Sequence, residues 1–212
     1  LTDVVDIFSC AYSSQEAVAA ARKLGVQFWC TGVAAFMVDL PAVDQRMGYG
    51  FKSVRNGYMG AVSWGVAYWG RLNRDKGKWE RAGPWTRPYR ANKNCVVPYP
   101  GNTEHSQSDR VVPSISLELT RDGIEDYEYL ALLSRLAAAA RALPAARRPP
   151  EGTLRKAEAL CAVPESISRT FTDFTKDRRV LLARRRAVGD MIETLLARVG
   201  SEPPPVTRAL PR

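Results

Sequence analysis

Pro113-Ser-Ile-Ser-Leu-Glu-Leu-Thr-Arg-Asp-Gly-Ile-Glu-Asp-Tyr-Glu-Tyr-Leu-Ala-Leu-Leu133 is the stretch on which the fold turns. Pro113 closes an extended segment, and Ser114 or Ser116 supplies a hydroxyl able to accept from the open N–H groups of a first helical turn. Ile124, Tyr127 and Leu130 then recur at helical spacing, while Tyr129, Leu132, Leu133 and Leu136 make a second stripe. A helix apolar on more than one face is expected to be buried on two sides. Gly123 is predicted to kink it. Glu118, Asp122 and Asp126 recur every fourth residue and stack on one side, with Glu125 beside them, so they need cations. They read either as acidic residues near a helix start, paired with Arg121 or a neighbouring basic segment, or as carboxylates for acid/base chemistry. Spacing alone does not choose.

Ahead of this stretch, apolar runs alternate with helical ones. Val4-Val-Asp-Ile-Phe8 is predicted as a strand ending at Ser9-Cys10-Ala11-Tyr12, with Ser13-Ser14 capping a helix from Gln15 to Leu24 that Gly25 stops. Val26-Gln-Phe-Trp-Cys30 is a second buried run closing on Thr31-Gly32, and the order strand, helix, strand predicts a parallel βαβ unit. Gln45 to Asn56 is predicted helical, and Gly60-Ala-Val-Ser-Trp64 is a third strand running into Gly65-Val-Ala-Tyr-Trp69. These units match the repeat of a (β/α) barrel but are too few to close one. In such barrels the C-terminal strand ends form the active face, which places Cys10 to Tyr12, Trp29 to Gly32 and Trp64 to Trp69 at one mouth.

Residues 70 to 112 read as loop-rich, with Trp79, Trp85, Tyr89 and Tyr99 among Gly, Pro, Arg and Lys, and Cys95-Val-Val-Pro-Tyr-Pro-Gly101 as a strand-like run. Aromatics at a barrel mouth suit carbohydrate: a pyranose offers an apolar C–H face to an indole, and its hydroxyls seek carboxylates and amides. The alternative is that they fill the core beneath long loops. Behind the opening stretch, Ala137 to Ala146 is predicted to extend the helix until Arg147-Arg-Pro-Pro-Glu-Gly152 breaks it. Thr153 to Cys161 is another helix. Phe171 to Val199 reads as a long amphipathic one, with Leu181, Val188, Ile192, Leu195 and Val199 on one stripe and Arg184 to Arg186 mainly facing water.

The chain has 212 residues, 45% of them hydrophobic, ample for a packed core. Its 31 Lys+Arg against 22 Asp+Glu give a formal charge of +9. The excess lies mostly after Ser134 and has almost no aromatic interleaving for base stacking, so solvated helix faces are expected rather than nucleic-acid binding. No apolar run reaches the roughly 18 residues of a membrane span, and the N-terminus lacks the order of a signal peptide. The start at Leu1, running straight into an apolar segment, suggests a mature or truncated product. Cys10, Cys30, Cys95 and Cys161 form no C-x-x-C pair, so neither a zinc nor a redox motif is predicted. Cys10 and Cys30 approach one another if their strands are adjacent; a disulfide is not assigned. His105, the single histidine, lies in a polar run, which makes a Ser-His-Asp site improbable. No P-loop, dinucleotide fingerprint or metal-ligand cluster is present in the sequence, and no cofactor is expected.

The opening stretch, above all Arg121-Asp-Gly-Ile-Glu-Asp-Tyr-Glu-Tyr-Leu130, resembles the signature of the domain-of-unknown-function 4091 family, related to glycoside hydrolase family 123, the β-N-acetylgalactosaminidases. The resemblance extends to Phe28-Trp29, Phe36-Met-Val-Asp39 leading to Asp44-Gln-Arg46, Gly60 to Trp69, and Val97-Pro-Tyr-Pro-Gly101, in that order. It implies a (β/α)8 barrel, of which this chain is the last part, and substrate-assisted retaining hydrolysis. There the substrate's 2-acetamido oxygen attacks the anomeric carbon, an Asp orients it, and the adjacent Glu is the general acid. It also suggests an extracellular or periplasmic protein. That Asp-Glu pair occurs nowhere in this sequence, and Glu125-Asp126 has the reverse order in a different motif. Ser116 stands where the family usually shows arginine, and Val62-Ser63 replaces a bulkier pair.

The sequence therefore reads as α/β: the C-terminal part of a TIM-type barrel at residues 1–112, the signature helix and C-terminal helices at 113–200, and a disordered tail at 201–212. Trp29, Trp64, Tyr68 and Trp69 are the expected stacking residues and Asp39 and Arg46 the polar contacts. No catalytic acid is expected here, so the isolated chain is expected to be inactive. The implied partners are a carbohydrate substrate and the upstream half of the same barrel, with neither nucleic acid nor membrane. The signature helix is expected to be scaffold, its tyrosines and carboxylates binding the C-terminal helices to the barrel. A non-catalytic carbohydrate-binding module and a basic helical protein docking on an acidic partner are the alternatives.

Overall fold

The computed structural model describes residues 5–11, 15–33, 43–63, 71–73, 77–80, 98–99 and 109–200. Strand β1 (Ile7–Ala11), helix α1 (Gln15–Lys23) and strand β2 (Gln27–Thr31) form the predicted parallel unit, with Ile7 opposite Gln27 and Ala11 opposite Thr31. Gly25 makes the sharp reversal possible: at φ 71° it turns left-handed while the Val26 N–H donates back to the Ala21 carbonyl at 3.0 Å. Strand β3 (Gly60–Val62) joins parallel to β2, from Trp29 opposite Gly60 to Thr31 opposite Val62. The order β1-β2-β3 follows the chain, so the C-terminal ends at Ala11, Thr31 and Val62 lie side by side.

Alternation along these strands divides the sheet into two faces. Phe28 and Cys30 are buried with Val18, Ala21, Val33 and Tyr58 in a small cluster that covers one face. Ser9, Gln27, Trp29, Thr31, Gly60 and Val62 belong to the other face, which among the described residues has no such cluster over it.

The helical run predicted from Gln45 to Asn56 begins at Val43 and is not uniform. It comprises α2 (Val43–Met47), a π-helical turn (Gly48–Lys52) and α3 (Ser53–Asn56), and its backbone departs from helical geometry at Gly50 (φ −97°, ψ −107°). Helix α4 (Ile115–Ala142) is capped by Ser114, whose hydroxyl accepts from the Leu117 N–H at 3.2 Å. It runs unbroken through Gly123 with helical backbone geometry, so the predicted interruption at Gly123 is corrected. A Cβ there would lie 2.6 Å from the Arg46 carbonyl oxygen and 2.9 Å from Tyr49 Cβ, and one on Gly50 would lie 2.9 Å from the Gly123 oxygen. The two glycines let the π-helical run and α4 cross in backbone contact, and the irregularity sits in the run rather than in α4.

Helix α4 stops at Ala142 instead of Ala146, because Pro144 forces Leu143 into extended geometry (φ −63°, ψ 149°). Helix α5 (Glu151–Cys161) starts directly after Pro149-Pro150. Helix α6 (Arg178–Val199) begins at Arg178 rather than Phe171, where the Asp177 carboxylate accepts from the Arg179 N–H at 2.8 Å. Leu133, Leu136, Ala137 and Ala140 of α4 pack with Leu154 and Ala157 of α5, Leu181, Val188 and Leu195 of α6, and Met47 and Phe51 in a second, larger cluster. Within the predicted loop region, β4 (Arg71–Asn73) runs antiparallel to β5 (Lys78–Glu80), and β6 (Pro98–Tyr99) to β7 (Val112–Pro113). Among the described residues no helix is long and apolar enough to cross a membrane.

Candidate functional site

Trp29, on the central strand, occupies the middle of the sheet face that bears no apolar cluster among the described residues. It is half-buried, its Nε1–H donates to the Gln27 Oε1 at 3.1 Å, and its indole lies over Gly60, where a Cβ would come within 2.5 Å of the ring. Gly60 is thus required by the ring above it, not by a turn. Ser9 stands directly opposite Trp29 on β1, and its hydroxyl is 3.0 Å from that of Thr31, two residues further along β2. Indole, amide and hydroxyls on one face make a surface that can stack against a ring and exchange hydrogen bonds with its substituents. Thr31 falls in the Trp29 to Gly32 stretch expected at the mouth, whereas Gln27 and Ser9 were not among the sequence candidates; the two-residue spacing of Gln27 from Trp29 was a signal available for it, and the register that brings Ser9 opposite Trp29 was not. Trp64, Tyr68, Trp69 and Asp39 lie outside the described residues, as do His105, Cys95 and the 201–212 tail.

Arg46 is placed elsewhere. It is 7% exposed in the interface between α2 and α4, its Nε 2.6 Å from Asp126 Oδ2 and its Nη2 2.8 Å from Asp126 Oδ1, with Asp122 at 3.7 Å. This fork-to-fork pairing uses the planar guanidinium fully on a carboxylate that is itself 2% exposed. Arg185 of α6 closes the cluster, donating to Asp126 Oδ1 at 3.0 Å and Glu125 Oε2 at 2.7 Å while standing 4.7 Å from the centre of the Tyr129 ring. That hydrogen bond holds the Glu125 carboxyl below its usual range. Folding on Glu125 is thus favoured above the ordinary carboxylate range, and that contribution is lost as pH falls through its lowered value.

The stacked carboxylates therefore have cations, Arg121 on the exposed side and Arg46 and Arg185 on the buried side. The expectation that Arg184 to Arg186 face water is corrected. Arg184 Nη2 donates to the carbonyls of Ala159, Leu160 and Ala162 at 2.6 to 3.1 Å, capping the end of α5, and Arg185 is held as described; Arg186 is exposed. Helix α4 also reaches the sheet side, the Tyr127 hydroxyl donating to the Tyr58 carbonyl at 3.0 Å.

Lys52, at the end of the π-helical turn, is 6% exposed, with its Nζ 4.1 Å from the centre of the Phe171 ring and 4.4 Å from that of Phe174. Lys176 stands over Phe174 as well and binds Asp44 at 2.6 Å. Burial pulls the Lys52 ammonium down to about 8, Asp44 opposing. The folded value lies below the ordinary 10.5, so the folded state disfavours the charged form. Stability then rises with pH between about 8 and 10.5 and is lowest below that window. The two rings offset part of the penalty. Lys52→Met is expected to be more stable than the parent by about 1–2 kcal/mol at pH 7 and to lack the rise towards pH 10 that denaturant titrations of the parent show.

No family model matches the chain, and no curated protein matches it. Among the described residues no group of three or more histidine, cysteine or acidic side chains is placed to hold a metal ion.

Proposed function

We propose that this chain forms the C-terminal part of a (β/α)-barrel glycoside hydrolase acting on β-linked N-acetylhexosaminides, of the N-acetylgalactosamine type, by substrate-assisted retention, with the catalytic Asp-Glu pair supplied from outside this chain. The observation that carries the reading is the sheet face over which, among the described residues, no apolar cluster lies. Three parallel strands stand in chain order with their C-terminal ends aligned, one face sealed by Phe28 and Cys30 against α1 and the other presenting Trp29 with Gln27, Ser9 and Thr31. Parallel sheets are ordinarily covered on both faces, and in a closed barrel the inward face is filled by side chains while substrate groups approach at the C-terminal ends of the strands, the end towards which Thr31 and Val62 lie. The Ser114 cap and the long helix behind it agree with the signature that the sequence resembles.

The alternative of a basic surface for an acidic partner loses two of its cations, since Arg184 and Arg185 are engaged within the protein. The test is hydrolysis of a chromogenic N-acetyl-β-galactosaminide by this chain alone and by the chain joined to upstream barrel strands. Activity in the longer form only is expected, with kcat/KM reduced about ten-fold or more by Trp29→Ala. Absence of turnover in both forms overturns the reading.

A further inference from the structure

Cys10 and Cys30 are partners in the parallel register of β1 and β2, directly opposite each other and on the same face of the sheet. Paired residues on neighbouring strands have Cα atoms about 5 Å apart, inside the range that a disulfide spans. The two thiols differ in access: Cys10 is exposed, whereas Cys30 is fully buried. Each Sγ donates weakly to the carbonyl of the following residue, Ala11 at 3.4 Å and Thr31 at 3.7 Å. Cys161 provides the contrast. It sits within α5, donates to the Ala157 carbonyl at 3.3 Å, and burial pushes its thiol up to about 11.

We propose that Cys10 and Cys30 form a thiol–disulfide exchange site for low-molecular-weight disulfides, with Cys10 as the attacking thiol and Cys30 as the resolving one. In the first step the Cys10 thiolate attacks one sulfur of the incoming disulfide, forming a mixed disulfide and releasing one thiol. The Cys30 thiolate then attacks the Cys10 sulfur, closing the Cys10–Cys30 bond and releasing the second thiol. Two protein thiols are oxidised by two electrons, their two protons pass to the released sulfurs, and one small disulfide is reduced to two thiols. The bond joins β1 to its neighbour β2. Access orders the steps, since only the exposed sulfur meets the oxidant.

The reduced full chain, treated under native conditions with oxidised glutathione and mapped by mass spectrometry, tests this. The expected result is a linked Cys10–Cys30 peptide and a fall in free thiols from four to two per chain, with Cys95 and Cys161 still alkylatable. Cys30→Ser is expected to stop at a glutathione adduct on Cys10. A stable glutathione adduct on Cys10 in the unmodified chain, a linkage through Cys95 or Cys161, or no reaction overturns the proposal. Phenylarsine oxide, which bridges paired thiols, supplies a measurement without mutation. It is expected to protect both Cys10 and Cys30 from alkylation at one equivalent, and failure to protect them likewise overturns it.

Discussion

Asp126→Ala is expected to destabilise the protein by about 3–5 kcal/mol, read as a shift of the urea midpoint, the size found when one member of a buried ion pair is removed. The reason is the number of charges left behind. Asp126 accepts from Arg46 at 2.6 and 2.8 Å and from Arg185 at 3.0 Å, and Arg46 is 7% exposed. With the carboxylate gone, Arg46 has no acidic partner among the described residues nearer than Asp122 at 3.7 Å, and most of its desolvation is uncompensated. Asp126→Asn keeps the shape and loses the charge, so it should fall close to the alanine variant. Replacing the whole pair, Arg46→Met with Asp126→Leu, should recover most of the loss. Arg121→Ala is the control: Arg121 is 61% exposed, and its contacts to Glu118 and Glu125 are expected to be worth less than about 1 kcal/mol. An Asp126→Ala midpoint indistinguishable from that of Arg121→Ala would refute a role for this cluster in joining α2, α4 and α6.

Gly123→Ala carries the second large effect, and its sign is the informative part. On an isolated helix the change would stabilise by about 1 kcal/mol. Here the new methyl carbon meets the Arg46 carbonyl oxygen at 2.6 Å and Tyr49 Cβ at 2.9 Å, and a backbone carbonyl cannot swing aside as a flexible side-chain tip can. The crossing must open, which disturbs the Arg46–Asp126 geometry one turn away. A net loss of about 1–3 kcal/mol is expected, and Gly123→Val should lose more. Gly152→Ala, near the start of α5 with nothing within 4 Å of the added carbon, should be neutral or slightly stabilising in the same denaturation experiment.

These two residues also show what the sequence discloses. Local signals were legible: Gly25 ending α1, Ser114 capping α4, and the strand, helix, strand order that produced the parallel pair of β1 and β2. Each is decided by chemistry within a few residues. Gly123 was not legible, because a glycine in a helical pattern signals a break unless the opposing backbone at Arg46 and Tyr49 is known. Arg184 and Arg185 were misjudged for a similar reason. Periodicity assigns a face to each, but the carbonyls ending α5 and the Asp126 carboxylate that meet those faces come from distant parts of the chain. Of the expected site, Trp29 stands on the sheet face that bears no apolar cluster among the described residues, and Arg46 does not share its surroundings, being bound into the α2–α4 interface. The π-helical turn had no sequence signature, since the glycines around it fit an ordinary helix end equally well.

The division of the buried apolar residues into two clusters has a consequence for cooperativity. The cluster under the sheet holds Val18, Ala21, Phe28, Cys30, Val33 and Tyr58, whereas the helical one draws on α2, α4, α5 and α6 together with the chain between the last two. Regions with fewer buried contacts open at lower free energy than the molecule as a whole. The sheet is therefore expected to open at lower free energy than the helices, with the link from Tyr127 to Tyr58 among the contacts it gives up, as slower hydrogen exchange in the helices than in the strands would show. A single unfolding free energy then describes the helical body, and the strands that carry Trp29 belong to a softer part of the same molecule.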